Sequence, residues 1–204
     1  MSLMIGLLMT MIGAGQDSPL YKAGDETNYA ISGTMIEKSP FTAILTTACT
    51  KAGSPKGAVI TIGMSDVGGD PSSGVQSVPK RNLTLDVHGM PVAMKLSGSD
   101  QLELFFLLAA SRNAEVKNAG DSSMWDFNIG KDAYSFHVTT KRVDDDAKGN
   151  PTNDVVGTIS YDGGQLGTIH CVSSFDAKDA LLASGTCDVK IGPTVMHLVF
   201  KRER

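Results

Sequence analysis

Asp100-Gln101-Leu102-Glu103-Leu104-Phe105-Phe106-Leu107-Leu108-Ala109-Ala110-Ser111 is the stretch on which the fold turns. Read as a strand, 102–110 would be almost continuously apolar, as only a strand covered on both faces can be. Read as a helix, it starts with Asp100 as the cap and puts Glu103 at the third helical position, a capping box. Its Leu-Leu-Ala-Ala tract has high helix propensity, and Asn113 offers a left-handed exit. The helical reading is adopted.

A second segment follows the same script. Asp176 caps, residues 180–183 fill a turn, and Gly185 terminates. Around these segments runs a faint repeat between 83–129 and 158–200. The turn His88-Gly89-Met90 corresponds to Asp162-Gly163-Gly164, and Ala114-Glu115-Val116-Lys117 to Cys187-Asp188-Val189-Lys190. The repeat predicts an internal ββαββ duplication with two short helices and two similar halves.

Most of the remaining chain alternates with period two, the signature of half-buried antiparallel strands. Leu83, Leu85 and Val87 oppose Thr84, Asp86 and His88; Tyr134, Phe136 and Val138 oppose Ser135, His137 and Thr139. Cys187, Val189 and Ile191 oppose Thr186, Asp188 and Lys190. Further strands are expected at 28–37, 41–50, 57–64, 90–97, 123–130, 154–161, 166–174 and 194–201, separated by Gly- or Pro-rich turns. The fold class expected is mainly β: an antiparallel sandwich or flattened barrel with two short helices. An N-terminal sheet of residues 28–80 as a separate lobe is the alternative. Residues 65–82, rich in Gly, Ser and Pro, are expected to be a long loop, either a flap over a binding surface or a plain connection.

The hydrophobic fraction of 41% and charged fraction of 20% suffice for a core, and the net charge of -4 argues against a nucleic-acid partner. Residues 1–15 read as a signal peptide, with a buried N-terminal segment as the alternative: the run 3–12 is almost wholly apolar, then come Gly13, Ala14 and Gly15, with Gln16-Asp17-Ser18-Pro19 beyond. No Lys or Arg precedes Lys22, so the usual positive n-region is missing. The run is too short to span a bilayer. Residues 16–204 are expected to form one β-rich domain, periplasmic or extracellular. In such a compartment Cys171 and Cys187, in the strands flanking the second capped segment, are the natural disulfide, with Cys49 left over; the alternative is three reduced core cysteines.

Catalytic strings are missing: Gly63-Met64-Ser65-Asp66-Val67 lacks the closing glycine of a nucleophile elbow, and no phosphate loop or HExxH occurs. Asp144-Asp145-Asp146-Ala147-Lys148-Gly149 has the look of a calcium loop, but Lys148 replaces a ligand and Val155 stands where a bidentate Glu belongs; a solvated acidic turn is the reading. The four histidines, His88, His137, His170 and His197, lie on the less apolar faces of strands. Scattered surface imidazoles are the reading; the alternative is a metal site, for which His170 and His197 would be the first pair. Trp125, Phe127 and Tyr134 are read as core, with the lining of an apolar pocket or binding surface as the alternative. Asn82-Leu83-Thr84 is a glycosylation sequon, meaningful in a eukaryotic secretory protein.

The order of strand, Gly turn, Pro-Val strand, capped helix and strand over 83–117 is loosely similar to periplasmic proteins of the invasion-associated locus B type. The likeness covers a minority of the chain. The paired cysteines expected of that group are not reproduced, since Cys49 stands alone in the N-terminal half, and no functional residue is carried across.

The functional expectation is an exported, non-enzymatic binding or interaction protein, with a protein or small-molecule ligand, no cofactor and no transmembrane span. Its rivals are a hydrolase or metal-dependent enzyme built from dispersed residues, the histidines with Asp86 or Asp188, and a structural subunit of a surface assembly. An enzyme calls for a cleft where a His meets a carboxylate and a Ser or Cys. A binding protein calls for an apolar groove or patch.

Overall fold

Among the described residues ten strands form one antiparallel sheet in the order β4-β3-β2-β1-β10-β9-β8-β7-β6-β5. The computed structural model describes residues 24, 26–35, 39–54, 57–86, 88–94, 99–111, 116–129 and 134–203. The readings of residues 1–15 and of Asn113 lie outside the described residues. The strands are β1 (Glu26–Thr34), β2 (Pro40–Ser54), β3 (Gly57–Gly69), β4 (Val78–Thr84), β5 (Ser122–Ile129), β6 (Tyr134–Val143), β7 (Thr152–Tyr161), β8 (Gly164–Phe175), β9 (Leu182–Ile191) and β10 (Thr194–Arg202). Among the described residues one helix, α1 (Asp100–Ala110), falls between β4 and β5. Each hairpin neighbour pairs with the next, and β1 pairs with β10, so the N-terminal strands and the rest share one sheet.

The helix is buried on every side from Leu102 through Ala109. That is possible only if the sheet curls around it. Phe106 packs on Tyr29 of β1 at 4.7 Å and on Phe200 of β10 at 5.6 Å between ring centroids. Arg81 of β4 pairs with Asp100 and Glu103 of the helix. On its other side the helix faces Phe136 of β6, Ile159 of β7 and Leu166 of β8. Laid flat, β4 and β6 would stand roughly 38 Å apart, at about 4.8 Å per strand, far beyond the reach of one helix about 10 Å across. The two ends of the sheet also meet through the segment after β4, where His88 stacks on Trp125 of β5 at 5.1 Å and 14°. Alternate residues of the strands therefore point into a core around α1 or out to solvent.

Tight curling needs close backbone approaches. At Gly33 a Cβ would fall on the carbonyl of His197, and at Gly167 on that of Lys190. Neither position has room for a side chain, which is why strands β1 and β8 carry glycine there.

Four expectations change. The segment after Asp176 is a turn, not a second helix: Ala180 N donates to Asp176 O, Ala180 takes a φ of 62°, and β9 begins at Leu182. Asp176 does organise that turn, accepting from Lys178 N at 2.9 Å. Strand pairing wins over alanine's helix propensity because 182–191 is laddered to both β8 and β10. The duplication goes with it, since 83–129 holds a helix between two edge strands while 158–200 is a continuous meander. The expected loop 65–82 is mostly strand: β3 runs on to Gly69 through a bulge at Asp66, φ 50°, then Pro71–Ser73 form a short 3-10 turn and β4 begins at Val78. The strand expected at 90–97 is, in its described part, a loop with a single bridge between Leu85 and Pro91.

Candidate functional site

An apolar cleft opens at one end of the wrapped sheet. Its walls are Leu104 and Phe105 of α1, Phe136 of β6, Ile159 of β7, Leu166 of β8 and Ile191 of β9, with Gln101 and Tyr134 at its polar points. The volume is about 120 Å³. The cleft forms here because β6 starts, β8 starts and β9 ends at this level, so the helix's first turns lack a covering strand end. Tyr134 and Tyr161 pack against each other at 4.8 Å, and Tyr161 and Leu166 are 49% and 37% exposed, leaving apolar surface around the cleft. Among the described residues no charged side chain lines it. A cavity of this size and polarity suits a single ring or a short alkyl group.

The histidines sit elsewhere. On the outer face His137 Nδ1 lies 2.5 Å from Asp126 Oδ1, His170 Nε2 lies 2.8 Å from Asp154 Oδ1, and His197 Nδ1 lies 2.6 Å from Asp188 Oδ1. Register explains two of the pairs. In hairpin β5–β6 Asp126 stands opposite His137, and in β9–β10 Asp188 stands opposite His197. Both hairpins place Asp three residues before the last ladder residue and His three after the first, so counting outward from each turn would have found them. Asp188 also faces His170 across β8–β9. The structure thus brings His170 and His197 to either side of Asp188, while Asp86 is far off in use: its Oδ1 accepts from His88 N and Met90 N in a turn. His88 is stacked on Trp125 rather than placed with the others. Among the described residues no group of three His, Cys, Asp or Glu side chains has the geometry to hold a metal ion. The pairs are about half exposed and face open solvent.

Asp100 and Glu103 do not form a capping box. Ser99 is the N-cap, Asp100 begins the helix, and both carboxylates turn to Arg81 Nη2, at 2.8 Å and 2.5 Å. Glu103 is fully buried, its Oε1 without a hydrogen-bond partner, and burial pushes its carboxyl above the usual range against the opposing pull of Arg81. This cluster pins α1 to β4. At the far end of the core Arg202 pairs with Asp179 at 2.6 Å, beside the Tyr29 phenol, whose pKa burial raises.

Cys171 and Cys187 are directly opposed in β8 and β9, and their sulfurs are bonded across a Cα–Cα distance of 4.0 Å, the close spacing of a non-hydrogen-bonded pair. Cys49 is buried on β2, outside this bond. In the acidic turn Asp146 accepts from Asn150 N, Asn150 Nδ2 and Lys148 N, which hold its carboxyl below the usual range, and Asp145 pairs with Arg142 of β6. Trp125 and Phe127 are buried, Trp125 Nε1 donating to Thr140 Oγ1 at 3.1 Å. In comparisons with known protein families and with curated proteins, the sequence matches none.

Proposed function

We propose that this is an exported binding protein, periplasmic or extracellular, that receives an apolar group of its ligand in the cleft at the end of the wrapped sheet. The observation that carries the reading is the uncharged cleft of about 120 Å³ between α1 and β6–β9. An aromatic ring or short alkyl end fits it, with Gln101 and the Tyr134 hydroxyl able to meet a neutral polar group at the mouth. The intramolecular disulfide and the absence of any described helix long and apolar enough to cross a membrane are compatible with export.

Toluene is the probe, titrated into the full chain with methyl-labelled Ile and Leu. Saturable shifts confined to the methyls of Leu104, Ile159, Leu166 and Ile191 are expected, and Ile159→Phe should abolish them by filling the cleft. Shifts that are absent, or that persist unchanged in a folded Ile159→Phe chain, would sink the reading.

A further inference from the structure

The outer face differs sharply between the two halves of the sheet. Over β1–β4 it is held by neutral pairs, Thr46 with Asn28 and Thr61 with Asn82, plus the ion pair Lys80–Glu26. Over β5–β10 it carries three Asp–His pairs and three lysines. The carboxylates are Asp126, Asp154 and Asp188, the imidazoles their partners His137, His170 and His197. The ammonium groups are Lys141 opposite Asp154, Lys190 opposite Thr168, and Lys201 opposite Ser184. All three lysines are exposed.

With the imidazoles neutral, the three carboxylates and three ammonium groups among the described residues of this face cancel. Protonation turns each histidine into a cation. Each imidazolium then neutralises its own aspartate, and the lysines are left unopposed. The same face also carries the exposed apolar side chains Met124, Val156, Val172 and Val195, between 38% and 69% exposed. They are interleaved with the charges: Val156 stands opposite His170, Val172 opposite Asp154 and Val195 opposite Lys190. A trough of about 370 Å³ runs between Val156 and Val195, past His170, Asp188 and Lys190.

We propose that the outer face of β5–β10 is a docking surface for an anionic lipid membrane, engaged when its histidines are protonated. A lipid interface satisfies both components at once, the cations at phosphate headgroups and the valines and methionine at the acyl boundary. A soluble polyanion would use the cations and leave the apolar side chains in water. The surface is on the opposite side of the sheet from the cleft and does not depend on it.

The test is sedimentation of the full chain with vesicles of phosphatidylcholine alone, or with about one third phosphatidylglycerol, at about pH 5 and about pH 8. Binding should be at least about tenfold stronger at the lower pH, and only on the anionic vesicles. The combined substitution His137→Gln, His170→Gln and His197→Gln should remove that gain. Val156→Ser with Val195→Ser should weaken binding at the lower pH, which keeps the test decisive if the triple variant fails to fold. Attachment through the apolar residues near the N-terminus would ignore both pH and these substitutions. Binding indifferent to pH, binding retained by a folded triple variant, or binding competed by heparin and untouched by the valine changes overturns the proposal.

Discussion

Glu103 is a fully buried carboxylate in a helix otherwise packed with Leu, Phe and Ala, and Arg81 Nη2 meets it at 2.5 Å. Burial dominates, so its pKa is raised in the folded chain. A raised carboxyl contributes stability while it is protonated, below the ordinary carboxylate range, and that contribution is lost as pH rises through the folded value. Near neutral pH the ionised form is tolerated because Arg81 is there. Replacing Arg81 with Leu should therefore cost about 3 kcal/mol at about pH 8, by leaving a buried charge unpaired. At about pH 4 the cost should be clearly smaller, because Glu103 then takes a proton. Urea denaturation at the two pH values measures both, and an equal loss at each would mean that Glu103 is not the group responsible. The pairing was not legible in the sequence: Asp100 and Glu103 fit a capping box by spacing, and only the curl of the sheet brings Arg81 to them.

At the scale of elements, β8 and β9 are tied twice, by their ladder and by the Cys171–Cys187 bond. The bond closes a loop of 16 residues in sequence separation. Its loss, by Cys171→Ser with Cys187→Ser, should lower the unfolding free energy by about 3 kcal/mol, read by denaturant titration against the oxidised chain. Reductant should move the oxidised chain to the same midpoint and leave the variant unmoved; a variant as stable as the parent would show the bond to be dispensable. This pair was legible because both cysteines fall in strands that flank one short segment, which is a turn rather than the expected helix. The helix at 100–110 was legible from the helix propensity of its Leu-Leu-Ala-Ala tract, whereas the capping box that also pointed to it does not form. The segment after Asp176 was not, since its alanines suit a helix and only the partners on β8 and β10 make it turn and strand. Residues 65–69 misled for the opposite reason: Gly and Asp look like a loop, yet a bulge at Asp66 lets β3 continue.

For the molecule as a whole, the sheet and the helix need each other. Phe106 touches both β1 and β10, the junction between the N-terminal strands and the meander. Phe106→Ala should cost about 3–5 kcal/mol and loosen that junction first. Amide exchange should then rise in β1 and β10 ahead of β5 and β6; uniform loosening would argue that the helix supports every strand alike.

Composition and periodicity by themselves determined that this chain is built from half-buried antiparallel strands, that one apolar run is helical, and which two cysteines can meet. Those are local properties, written in the spacing of apolar residues and in the side of a strand each residue takes. Only the tertiary structure decided that the sheet is single and curled around its helix. It also decided that β1 joins β10, that an apolar cleft opens at one end, and that Asp188 lies between His170 and His197. Those features depend on register and closure between strands distant in sequence, and a period-two pattern is the same for every choice of neighbour.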